Sequence, residues 1–188
     1  SEMCIRDRSF GTGKIVSLKN EWYFHIPMTK KDDVVFDKES IKHVVGIDRD
    51  LRYLMTTYDE KDETSFYSGE AVRKKRESFN KVRAELQSKG TKSAKRALKR
   101  LSGRENRWMS NVNHCLSKTL VDKYGSNTLF VMEDLSDVSF DENLERRSDQ
   151  QRNELRSWSF YQLEQYLTYK AEAIGSQLLK ISPEYTSQ

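Results

Sequence analysis

The chain has 188 residues, of which 36% are apolar (AVILMFWYC) and 33% charged, with a formal net charge of +4. Ordinary soluble domains carry about 45–50% apolar residues with glycine counted and about 25% charged, so the composition describes a lean core under a heavily charged surface and excludes collagen-like and wholly disordered classes. Two cysteines, Cys4 and Cys115, make no disulfide framework, which points to a reducing, intracellular compartment, and no apolar run approaches the roughly 18 residues of a membrane span.

The first eight residues, SEMCIRDR, resemble a translated sequencing-adapter remnant and are set aside from fold reasoning. Residues 9–40 read as the end of a β domain and a linker. Alternation of β-formers over 13–28 predicts a hairpin that turns at Asn20-Glu21, and Thr29 to Ser40 is mostly polar. The run Trp22-Tyr23-Phe24 suits base stacking, although a packed hairpin face is the commoner use of such residues. His43 to Asp48 is a short apolar run ending in a carboxylate, as expected of a central strand. Leu51–Tyr58 and Thr64–Ser68 follow as strands, with Arg49-Asp50 as a turn.

From Glu70 the period changes to that of a helix. Val72, Phe79, Val82 and Leu86, then Ala94, Leu98, Leu101, Trp108 and Val112, predict an antiparallel helical hairpin inserted over about 70–124. Ser88 to Thr91 is its turn and Gly125 its stop, and Trp108 and Cys115 are expected in its core. Asn127–Met132 reads as a buried strand, Ser136–Arg156 as a mobile polar loop, Phe160 to Ile174 as an amphipathic helix and Gln177–Ile181 as a last strand. The order predicts an α/β domain with a mixed sheet over 41–188.

Charge is segregated. Residues 71–107 hold fourteen Lys/Arg against three acids, a local charge of +11, while the remainder sums to −7. A basic arm on an acidic body suggests a polyanionic partner, most simply nucleic acid; a solvated helical surface is the plainer reading of the same residues. The candidate contacts are Arg73, Lys74, Lys75, Arg76, Lys92, Lys95, Arg96, Lys99 and Arg100.

Two carboxylates, Asp48 and Glu133, directly end apolar strands, where open α/β sheets place functional groups. A converging pair there would suit hard divalent cations such as Mg²⁺, which prefer oxygen ligands. The plainer alternative is that each acid only closes a strand–loop junction. Gly11-Thr12-Gly13-Lys14 lacks the first glycine of a P-loop, with Arg8 in its place, and is discarded. His114-Cys115 has no second pair at zinc-ligand spacing.

Four stretches in order carry a resemblance: Glu21-Trp22-Tyr23-Phe24-His25-Ile26-Pro27; Gly46-Ile47-Asp48; Phe130-Val131-Met132-Glu133-Asp134-Leu135; and Tyr169-Lys170-Ala171-Glu172 followed by Ile181-Ser182-Pro183-Glu184-Tyr185-Thr186-Ser187-Gln188. Together they resemble the TnpB/OrfB proteins of bacterial insertion sequences, relatives of the compact type V CRISPR effectors. The resemblance implies a RuvC-like (RNase H-fold) nuclease domain and an RNA-guided, Mg²⁺-dependent DNA endonuclease of the two-metal type. It makes Asp48 and Glu133 catalytic metal ligands, DNA and a guide RNA the partners, and the bacterial cytoplasm, at the nucleoid, the location. In the family a zinc ribbon and a third catalytic aspartate follow Tyr-Thr-Ser-Gln. The chain is therefore expected to be an internal fragment, without zinc ligands and unable to cut DNA efficiently. It departs from the family pattern at Asp50, where a glycine is usual. Other readings are a guide-free resolvase or DDE-type transposase on the same fold, or a basic nucleic-acid-binding module without catalysis.

Overall fold

A computed structural model describes residues 8–18, 21–30, 36–49, 53–134 and 160–182. The chain divides between Val35 and Phe36 into two compact units. In the first, β1 (Arg8–Phe10) pairs antiparallel with β4 (Met28–Lys30), and β2 (Lys14–Leu18) with β3 (Glu21–His25). The hairpin lies where alternation predicted it, with Glu21 inside the strand, and a further short strand occupies the start of the polar linker. Its aromatic residues stay largely exposed, Trp22 at 76% and Phe24 at 64%, although Phe24 lies against Gly13 and the Tyr23 ring meets His25 edge to face at 6.5 Å.

The second unit is built on a five-stranded sheet in the order β7-β6-β5-β8-β9. Here β5 is His43–Asp48, β6 Tyr53–Asp59, β7 Thr64–Ser68, β8 Thr128–Glu133 and β9 Gln177–Ile181. β5, β8 and β9 run parallel, and β6 runs opposite to β5 and β7. Between β7 and β8 the chain makes a helical hairpin of α1 (Glu70–Lys89) and α2 (Lys92–Tyr124). Between β8 and β9 comes α3 (Phe160–Glu172).

Sequence explains the hairpin's joints. Gly90 ends α1 at φ 61°, the left-handed conformation that glycine adopts without steric cost. Thr91 then caps α2 by accepting a hydrogen bond from the Ala94 amide at 3.2 Å. Phe79 meets Trp108 across the two helices with ring centroids 6.0 Å apart, and Arg83 pairs with Glu105.

One face of the sheet carries the core. Val45, Ile47, Met55, Phe130 and Met132 are buried against Leu120, Val121 and Tyr124 of α2 and Leu167 and Ala171 of α3. The alternate positions of β5 point the other way, and Val44, Gly46 and Asp48 are exposed. Two expectations are corrected. Cys115 is exposed, because the buried positions Asn113 and Ser117 each lie two residues away, about 200° around the helix. Arg49 is no surface turn residue: it is 8% exposed, on the core side of the sheet end. The loop expected over 136–156, Asp50 and the Tyr185-Thr186-Ser187-Gln188 stretch lie outside the described residues.

Candidate metal centre and nucleic-acid interface

Parallel pairing holds β5 and β8 in one register from His43 opposite Thr128 to Ile47 opposite Met132. The next rank is Asp48 opposite Glu133, both closing their strands. Neighbouring strands stand about 4.8 Å apart. In-register side chains of a parallel pair share a face, so two carboxylates separated by 85 positions in sequence project side by side from the face opposite the core. Thr56 of β6 flanks Asp48 on its other side. Gly46, one rank back on the same face, leaves the approach open: a Cβ there would meet only the Tyr58 carbonyl, at 3.7 Å.

The sheet end is braced from the core side by residues that sequence reading did not single out. The Arg49 guanidinium donates to the Glu133 carbonyl oxygen at 2.6 Å and lies 3.8 Å from the Glu164 carboxylate of α3. Lys180 of β9 joins Glu164 at 3.3 Å to Asp134 at 3.4 Å. Burial lowers the Arg49 pKa, while Glu164, Glu133, Asp134 and Asp48 pull it back up. Lys180 is raised by its hydrogen bond and charge attraction to Glu164, then by Asp134. One chain of alternating charge thus ties the ends of β5, β8 and β9 to the first turns of α3. A sequence signal existed for Arg49: a charged residue directly after an apolar strand and its carboxylate. For Glu164 and Lys180 there was none, because their meeting depends on where α3 crosses the sheet.

Oxygen donors from Asp48 and Glu133 suit a hard divalent cation. Among the described residues, no group of three or more His, Cys, Asp or Glu side chains gathers closely enough to hold a metal ion. The described residues bring two carboxylates to the open face.

The basic residues of the hairpin sit largely in solvent. Arg73, Lys74, Lys75, Lys92, Lys95, Arg96, Lys99 and Arg100 are exposed, and Arg76 is half-buried. Lys74 pairs with Glu70 one turn earlier at 2.7 Å, and Lys75 lies 5.7 Å from the centre of the Phe79 ring. The Lys74–Glu70 pair is well exposed on both sides, and such pairs contribute only about 0.3–0.5 kcal/mol. Ion pairing therefore does little to quench the cationic surface.

Residues 25–136 match the OrfB_IS605 family model, described as "Probable transposase". The chain belongs to that family, the OrfB/TnpB group. It is 26% identical over 193 aligned residues to the TnpB-like protein of Methanocaldococcus jannaschii, covering 97% of this chain and 66% of that protein. It is 38% identical over 79 residues to the CRISPR-associated endodeoxyribonuclease Cas12f1 of Sulfoacidibacillus thermotolerans, covering 40% of this chain and 16% of that one. In fold it is similar to a Cas12f1 chain solved by cryo-EM in complex with sgRNA and target DNA, with a TM-score of 0.55 and 13% identity over 90% of this chain and 41% of that one. The chain thus spans just under two thirds of the length of its archaeal relative. No helix among the described residues is long and apolar enough to cross a membrane.

Proposed function

We propose that this OrfB/TnpB-family chain supplies two carboxylate ligands and a cationic hairpin to a transposon-encoded, RNA-guided DNA endonuclease. The observation that carries the reading is the register that sets Asp48 beside Glu133 on the open face. Its mixed sheet, with β6 alone antiparallel and two helices stacked on one face, supports the RNase H-like reading. Asp48 and Glu133 would hold Mg²⁺ through their oxygens. Two such ions supply activation of water and stabilisation of the leaving oxygen in phosphodiester cleavage. The protein's own part is to hold both carboxylates in one rank, with the Arg49 brace keeping the Glu133 backbone in place, and to present an open face to the strand. The hairpin cations would neutralise phosphates without reading sequence. With a guide RNA, base pairing rather than side chains would select the target, as in Cas9-type recognition.

Titration of the isotopically labelled chain with Mn²⁺, followed by NMR, tests the ligand assignment. The expected result is broadening centred on the ends of β5 and β8, lost in Asp48→Asn and in Glu133→Gln. Broadening elsewhere, or broadening that survives both changes, would reduce the two acids to strand-end groups.

A further inference from the structure

Among the described residues, four carboxylates and two cations come together at the carboxyl end of the central strands. Asp48 and Glu133 close β5 and β8 on the open face, Asp134 follows Glu133, and Glu164 reaches in from α3. Arg49 and Lys180 are the cations. Four negative charges against two positive ones leave −2, which one divalent ion would neutralise. We propose that Glu164 is a positioning residue for the metal centre: it keeps the charges of Arg49 and Lys180 on the core side of the sheet end, so that Asp48 and Glu133 retain theirs for a divalent cation. The inference rests on the ligand reading above and deepens it.

A cation beside a metal-ligating carboxylate competes with the metal for it. Arg49 directly follows Asp48 in the chain, and guanidinium–carboxylate pairs are strong, often joined by two parallel hydrogen bonds. Burial pulls the Arg49 pKa down, while Glu164, then Glu133, Asp134 and Asp48, pull it up. Its charge is therefore felt at both ligands. The guanidinium is nevertheless drawn beneath the sheet. Nη2 donates to the Glu133 backbone carbonyl at 2.6 Å, and Nη1 faces one Glu164 carboxylate oxygen at 3.8 Å. The other Glu164 oxygen takes Lys180 at 3.3 Å, and Lys180 also lies 3.4 Å from Asp134. One carboxylate thus answers two cations, one from β9 and one from the end of β5.

Glu164 comes to this place through the packing of α3. Leu163, Leu167 and Ala171 are fully buried, a stripe at helical spacing that fixes the rotation of the helix on the sheet. Glu164 is one residue on from Leu163, about 100° around the helix, and its side chain is only 12% exposed. A carboxylate so far removed from water is costly unless it is paired. Its charge is therefore directed at Arg49 and Lys180 and is little screened by solvent.

Mn²⁺ binding to the whole chain, read from the loss of the free-ion electron paramagnetic resonance signal at fixed ionic strength, tests the role, with urea unfolding run beside it. For a divalent ion about 10 Å from a lost unit charge, Coulomb attraction between the limits of water and an effective dielectric of 20 corresponds to about 4- to 300-fold in affinity. Glu164→Gln, which keeps the shape and removes the charge, is expected to weaken Mn²⁺ binding within that range, and Glu164→Asp should restore most of it. Lys180→Gln carries the opposite sign. It loosens the same network yet should tighten Mn²⁺ binding, because a competing cation is gone. Glu164→Gln combined with Lys180→Gln returns the strand ends to −2 and should bind Mn²⁺ close to wild type. A residue that only holds the fold together would give losses in both single variants and a larger loss in the double, in step with their urea midpoints. That pattern, or a Glu164→Gln chain that binds Mn²⁺ as wild type does, overturns the proposal even where Asp48→Asn and Glu133→Gln abolish binding. If the wild-type chain binds no Mn²⁺, or if binding survives Asp48→Asn and Glu133→Gln, the ligand assignment itself fails and takes the role of Glu164 with it.

Discussion

Removing the buried cation of Arg49 should destabilise the second unit. The side chain is nearly fully buried, and its guanidinium holds the Glu133 carbonyl at 2.6 Å. A hydrogen bond involving a charged group contributes about 1.5–3 kcal/mol. The contact with Glu164 is 3.8 Å, beyond hydrogen-bond distance, so it acts through charge alone. Glu164 is itself largely buried but keeps Lys180 at 3.3 Å after the change. Arg49→Ala should therefore cost about 2–4 kcal/mol, somewhat below the roughly 3–5 kcal/mol of a buried pair broken with no second partner. Urea unfolding followed by circular dichroism measures this directly, provided the m value stays constant. Because the cation is buried, the loss should persist at about 1 M salt, where the Debye length is near 3 Å and exposed pairs are silent. Arg49→Lys, which keeps the charge without the planar fork, should recover only part of the loss. A loss for Arg49→Ala below about 0.5 kcal/mol, in the range of ordinary surface changes, would refute the bracing role.

Other perturbations probe separate parts of the molecule. The hydrogen bond from His43 Nδ1, 2.6 Å away, first among several causes, lowers the Glu60 carboxyl from 4.5 to about 2. A carboxyl depressed in the folded state lends stability above its ordinary value and loses it as pH falls from about 4.5 toward 2; Glu60→Gln should flatten that part of the acid-unfolding profile in urea titrations run across pH. Phe130 is fully buried in the central strand, so Phe130→Ala should cost about 3–5 kcal/mol and lower the thermal midpoint measured by calorimetry. Thr91→Ala removes the cap on the Ala94 amide and should cost about 1 kcal/mol, read as a shift in the urea midpoint. Gly90→Ala meets no atom within 4 Å, yet its φ of 61° should still cost about 1–2 kcal/mol; a neutral Gly90→Ala would mean the hairpin turn relaxes to another conformation.

Much of this molecule was legible in one dimension. Periodicity switches from 2 to 3.6 at Glu70, and α1 begins there. Thr64–Ser68 and Gln177–Ile181 form strands with the ends read from their sequence. The glycines at 90 and 125 end the two long helices at φ 61° and 73°, backbone that glycine adopts without steric cost. Asp48 and Glu133 were legible as strand-terminal acids, since apolar runs ended on them. Local sequence carries such signals because propensity, capping and face periodicity act over a few residues.

Tertiary structure decided the rest, because the deciding distances join residues far apart in the chain. Whether Asp48 and Glu133 share a rank depends on the register of β5 against β8, and one residue of slip would put one acid on the core face. Arg49 is buried only because α3 crosses the sheet end with Glu164 over it; by local sequence it was a turn residue. Cys115 sits on an amphipathic helix yet faces solvent, since α3 packs where Asn113 and Ser117 lie. A long helix can bury one stripe against a sheet and another against a neighbouring helix, and hydrophobic spacing alone does not say which polar positions will be enclosed between them.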